Sequence, residues 1–145
     1  MEGAHLVPYL ACMSLVASLY HLPPRVLPAI QRVEGGRPGL VHRNADGTLD
    51  LGVMQINTLW LQPLARYTRT NGAMVFARLR DLPCYNIAAA GAIMRADLDA
   101  AHGDLLRAVG DYHSHTHDLN LDYRGRVLRA ARALFTRAAS ARRTR

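Results

Sequence analysis

The sequence predicts a mainly α-helical single domain with one small β-hairpin, and three observations carry that prediction. Apolar residues recur at three- and four-residue spacing along nearly the whole chain. Between Gly35 and Asn57 that rhythm gives way to turn residues and short extended stretches. The 145 residues, half of them hydrophobic, suffice for one core and contain no linker and no internal repeat.

Taken in order, the run from Leu6 to Tyr20 reads as a core helix. It is as apolar as a signal-peptide core, but Glu2 stands where basic residues would precede it. No small-residue cleavage site follows, so an export signal is not evident in this chain. With no run of eighteen apolar residues, nothing is expected to span a membrane. Pro23 and Pro24 suit the start of a second helix, where backbone donors are unpaired anyway. Pro28 lies at the edge of its first turn and is expected to bend the helix or free one carbonyl.

Val26, Ile30 and Val33 form one face of this helix, Leu27, Ile30 and Glu34 share the adjoining stripe, and Gly35-Gly36 stop it. Asn44-Ala45-Asp46-Gly47 reads as a tight turn, with a short strand from Thr48. Further apolar faces follow at Ile87, Gly91, Met94 and Leu98, at Leu105, Val109 and Tyr112, and at Tyr123, Val127, Ala131 and Leu134. The domain is expected to occupy residues 1–137, with 138–145 a basic, flexible tail.

All 18 basic residues are Arg, and the net charge is +7. From Arg124 onward there are eight Arg and no acid, so the preceding chain carries ten Arg against eleven acids, close to neutral. Such a basic end suits an anionic surface, or is simply a solvated helix end. It lacks interleaved aromatic residues, so specific nucleic-acid binding by base stacking is not expected. The two cysteines, Cys12 and Cys84, fit either buried thiols in a reducing compartment or a bridge in an oxidising one.

Glu34 carries the most chemistry. Only one other glutamate exists, Glu2, and Glu34 ends an apolar helical run. A carboxylate is unfavourable at the negative end of a helix dipole, and that dipole together with apolar neighbours raises its pKa. A carboxylic acid kept protonated near neutral pH can donate to a leaving oxygen, as in glycosidic cleavage. A surface glutamate that merely ends a helix is the bland alternative.

Val33-Glu34-Gly35-Gly36, Asn44-x-x-Gly47 and Asp50-x-Gly52-x-Met54-Gln55-Ile56-Asn57 together resemble the core of the soluble lytic transglycosylases. So do Asp81-x-Pro83-Cys84-x-Asn86-Ile87 with Gly91, and Ala108-Val109-Gly110-x-Tyr112-His113-Ser114. The likeness runs from about Cys12 to Leu134. The cysteine placement and the Tyr-His-Ser ending resemble the branch that accompanies secretion, conjugation and pilus systems.

The resemblance implies a lysozyme-like (α+β) domain that cuts the β-1,4 bond between N-acetylmuramic acid and N-acetylglucosamine of peptidoglycan, leaving a 1,6-anhydro end. Glu34 would be the catalytic acid and then base, and the substrate's own 6-hydroxyl would replace a second carboxylate. Gly52 would let backbone approach the sugar closely, Met54 and Gln55 would line the cleft, and Tyr112 would steady Glu34 or the N-acetyl group. Met54 as plain core packing is the alternative. Asp50 would accept backbone hydrogen bonds in the Gly47–Gly52 turn, and Asn57 would cap the next helix.

The resemblance also favours a Cys12–Cys84 disulfide, a periplasmic location, peptidoglycan glycan strands as substrate, and an envelope-spanning apparatus as partner. Two departures from the wider family are His113, where asparagine is usual, and Gly35, where many relatives carry serine. No cofactor is expected. His113, His115 and His117 with Asp118 invite a metal reading, which a helix end and loop would not support as a strand face would. A hydrolytic lysozyme with Asp50 placing a water, and a non-catalytic wall-binding assembly factor, are the competing functions.

Overall fold

The computed structural model describes residues 7–143, with side chains described to residue 134. Helix α1 (Leu10–Leu19) turns Met13, Val16 and Ala17 inward, as a core helix should. Helix α2 (Val26–Glu34) follows a turn that holds Pro23 and Pro24. It starts later than those prolines suggest, so Pro28 is its third residue. The N–H that Pro28 lacks is one the first turn leaves unpaired anyway. The expected bend or freed carbonyl is therefore not required. Gly35 ends α2 in the left-handed region, φ 63°, and its N–H donates to the Gln31 carbonyl at 2.8 Å.

Three short strands follow: β1 (Val41–Arg43), β2 (Leu49–Leu51) and β3 (Ile56–Asn57), antiparallel in the order β1-β2-β3. The expected hairpin is β1–β2, with Val41 opposite Leu51. The third strand pairs Asp50 with Asn57. In the turn, Gly47 N–H donates to Asn44 O at 3.0 Å, and the Asp46 carboxylate accepts from Thr48 N at 2.9 Å and Thr48 Oγ1 at 2.6 Å.

A 3₁₀ turn (Thr58–Trp60) leads into α3 (Leu61–Thr68) and α4 (Gly72–Asp81). Helix α5 (Pro83–Ala100) is the central post, with Ile87, Ala90, Ile93 and Met94 in the core and packed neighbours in α1, α4 and α6. Its Gly91 faces Val16 and Tyr20 so closely that a side chain there would collide with α1. Helices α6 (Leu105–His113) and α7 (His117–Arg143) close the molecule, and α7 lies on both α2 and α6.

A disulfide joins Cys12 of α1 to Cys84 in the first turn of α5, with Cα atoms 5.5 Å apart. The result is the mainly helical, lysozyme-like α+β domain that the sequence predicts. No helix among the described residues is long and apolar enough to cross a membrane. The backbone of α7 passes residue 137 without a break. The side chains of the expected basic tail, 138–145, lie outside the described residues.

Candidate functional site

A cleft of about 720 Å³ separates the sheet from α5, α6 and α7. Glu34, Asp50, Gln55, Trp60, Tyr112 and His113 all reach it. Past Trp60 a smaller hollow of about 340 Å³ continues toward Tyr20 and Tyr67.

Glu34 is the last residue of α2 and is half-buried at the cleft wall. Gly36 is buried against the carbonyls of Gly52 and Val53 with no room for a side chain. The helix end is thereby seated on the loop before β3. The Tyr123 hydroxyl donates to Glu34 Oε1 at 2.8 Å. Burial pushes the Glu34 carboxyl up to about 7, and the Asp50 charge adds to this; the Tyr123 hydrogen bond and Arg126 pull it back. Burial therefore favours the protonated acid well above the usual carboxylate range.

Sequence reasoning missed Tyr123 as the partner of Glu34, because it sits on the core stripe of α7 and is 1% exposed. The available signal was a phenol on an otherwise aliphatic face, since a buried hydroxyl needs a partner. Burial and the neighbouring Glu34 push its own ionisation far up, so it remains a donor. Tyr112, expected to steady Glu34 or the N-acetyl group, donates to the Met54 carbonyl at 3.4 Å rather than to Glu34. Its phenol is also held well above the ordinary value, by burial and then by the charges of Glu34, Asp97 and Asp50.

His113 faces the cleft, and its ring lies on that of Tyr123, centroids 4.5 Å apart and planes 7° from parallel. Partial desolvation and then Arg126 hold it below the usual imidazole value. The α6–α7 corner that aims Tyr112 and His113 is tied by Asn120, whose amide donates to Asp111 Oδ1 at 2.8 Å and Ser114 O at 2.9 Å. His115 lies 3.4 Å from Asp111, and His117 begins α7. The three histidines are thus spread over a helix end, a loop and a helix start rather than one strand face.

The remaining expectations need correction in part. Gly52 and Met54 are buried and do not line the cleft. Gly52, φ 68°, leaves no room for a side chain beside the Leu79 carbonyl and the Asn86 amide, so its close approach is to α4 and α5 rather than to sugar. Met54 is 0% exposed, which matches core packing. Its N–H donates to Asn86 Oδ1 at 2.8 Å, while Asn86 Nδ2 donates to Leu51 O and Leu79 O, each at 2.8 Å.

Gln55, next in sequence, does reach the cleft; it holds φ 52° and donates from Nε2 to Gly52 O at 2.9 Å. Asp50 accepts from Asn57 Nδ2 at 3.0 Å and lies 3.9 Å from His42, while Asp46 rather than Asp50 accepts in the turn. Strand pairing turns Asp50 to the cleft, away from the turn backbone. Asn57 also accepts from Leu59 N at 2.9 Å, capping the 3₁₀ turn. Asp97, which the sequence did not single out, lines the cleft and is pushed up to about 6 by burial and then by Asp111.

No protein-family profile matches the chain. The invasion protein IagB of Salmonella typhimurium, and that of Salmonella typhi, are each 30% identical to it over 116 residues. That alignment covers 79% of this chain and 69% of the relative. The raised acid, its cleft and its phenol partner sit in a chain that, on this alignment, belongs to the family of invasion protein IagB.

Proposed function

We propose that this protein is a peptidoglycan lytic transglycosylase. The observation that carries the reading is the Glu34 carboxyl, buried beside an open cleft and pushed up to about 7. Protonated Glu34 donates to the glycosidic oxygen between N-acetylmuramic acid and N-acetylglucosamine, and the C1–O bond breaks as the leaving hydroxyl forms. The Glu34 carboxylate, held by the Tyr123 hydroxyl, then takes the proton of the muramic 6-hydroxyl as that oxygen bonds to C1. Glu34 ends as it began, no water is consumed, and the product is a 1,6-anhydro ring. A nucleophile already inside the substrate supplies the effective molarity that ordinary glycosidases obtain from a second carboxylate.

Gln55, Tyr112 and His113 line the cleft and are the residues proposed to contact the sugars. The likeness to an invasion protein supports a role in opening the wall locally for an envelope-spanning apparatus. The Cys12–Cys84 disulfide suits the oxidising periplasm. A purely structural, wall-binding role leaves the elevated Glu34 and its part-buried hydrogen bond without a purpose.

One observation favours a second reading. Asp50 faces the same cleft, and its charge acts on Glu34, as a water-placing carboxylate of a hydrolase would. Mass spectrometry of muropeptides released from purified sacculi separates the two. Transglycosylation gives ends lighter by one water than the reducing ends that hydrolysis gives. Glu34→Gln is expected to cut product formation by about 10²–10⁴-fold; undiminished release by this variant rules out Glu34 as the acid.

A further inference from the structure

The His113–Tyr123 stack adjoins the Glu34 hydrogen bond at its Tyr123 end, while Glu34 itself reaches the cleft. Tyr123 is 1% exposed and does not line the cleft, whereas His113, lying flat on its ring, does. Behind the phenol, its hydroxyl reaches Glu34 Oε1 at 2.8 Å. The imidazole thus covers a face of the Tyr123 ring on the cleft side.

We propose that His113 is a positioning residue: its ring seals the Tyr123 end of the Tyr123–Glu34 hydrogen bond from cleft water and fixes the phenol where it serves the acid. It acts through Tyr123 rather than by touching Glu34. Parallel stacking at this separation holds both rings in one plane orientation, which a short amide cannot do. Water admitted beside Tyr123 would compete for Glu34 Oε1 and rehydrate its carboxylate, removing much of the burial that raises it.

The groups facing His113 set the range over which the seal works. Arg126 opposes a proton on the ring, while Asp122 of α7 and Asp50 of β2 favour one. Glu34 of α2 lies behind the phenol, and Asp111 with His115 flanks the ring along its own segment. At neutral pH the ring is held uncharged, so the stack adds cover without adding a charge.

This role concerns the site on which the transglycosylase reading rests, but its test needs no glycan. The chain has two glutamates, Glu2 and Glu34, so side-chain ¹³C labelling of glutamate gives two resolvable carboxyl titrations. In the wild type the Glu34 carboxyl is expected to titrate near 7. In His113→Ala and His113→Asn the Glu34 midpoint is expected to fall by about one pH unit or more. His113→Phe keeps a flat ring on the phenol without a titrating group and is expected to stay within about 0.3 unit of wild type.

An unmoved midpoint in the alanine or asparagine variant overturns the seal. So does a fall in the phenylalanine variant equal to theirs. Activity against sacculi is read separately: loss of the seal leaves the transglycosylase reading standing, and absence of anhydro products leaves the titration result standing.

Discussion

At the scale of single residues, the proposed reaction divides the handling of one proton between Glu34 and Tyr123. Burial holds the acid protonated, and the phenol offsets part of that by favouring the carboxylate. Tyr123→Phe removes the donor, so the Glu34 midpoint should rise above its wild-type position. The charge formed on Glu34 during bond breaking then loses a hydrogen bond worth about 1.5–3 kcal/mol, slowing turnover by roughly 10–100-fold. A pH series of kcat checks both effects, and the alkaline limb moving up while the plateau falls is the expected pattern.

Glu34 also carries a stability cost with a definite sign. Its folded pKa, about 7, lies above the ordinary 4.5. Between those values the folded state binds more proton than the unfolded one, so stability falls as pH rises through that window. Glu34→Gln mimics the protonated form. It should match wild-type stability near pH 4 and exceed it above pH 7 by something on the order of 1–3 kcal/mol, read from chemical denaturation at the two pH values.

At the scale of elements, the loop before β3 is held by Asn86 of α5, whose single amide satisfies Met54 N–H and the carbonyls of Leu51 and Leu79. Asn86→Ala leaves three buried groups unpaired and should destabilise the fold by about 3 kcal/mol or more, measured from the urea midpoint. Glu34 and Gln55 should lose their fixed placement with it.

The long elements were legible because periodicity reports burial: Ile87, Gly91, Met94 and Leu98 are all buried on α5. The Gly35 stop was legible because few other residues adopt its backbone angle. What stayed hidden depended on distant partners. Tyr123 reads as core packing until α2 is placed against it, and Met54 and Gly52 read as cleft residues until α4 and α5 close over them. Asp50 could not be assigned a partner before β3, a two-residue strand too short to announce itself, was paired with β2.

At the scale of the whole molecule, two links join distant parts of the chain. The Cys12–Cys84 disulfide closes a 72-residue separation between α1 and α5. In the chain-entropy account, a loop of that length contributes about 4 kcal/mol. Cys12→Ser with Cys84→Ser should therefore melt well below wild type, and reductant should lower the wild-type melting temperature toward that of the double variant.

The second link is the hydrogen bond between Tyr123 and Glu34, which spans 89 positions. A polypeptide still leaving the ribosome has its acid in place long before α7 exists to cover it. Until α7 docks, Glu34 lacks both the Tyr123 donor and the cover that α7 lays over α2. The order of synthesis thus leaves the acid bare until α7 folds back.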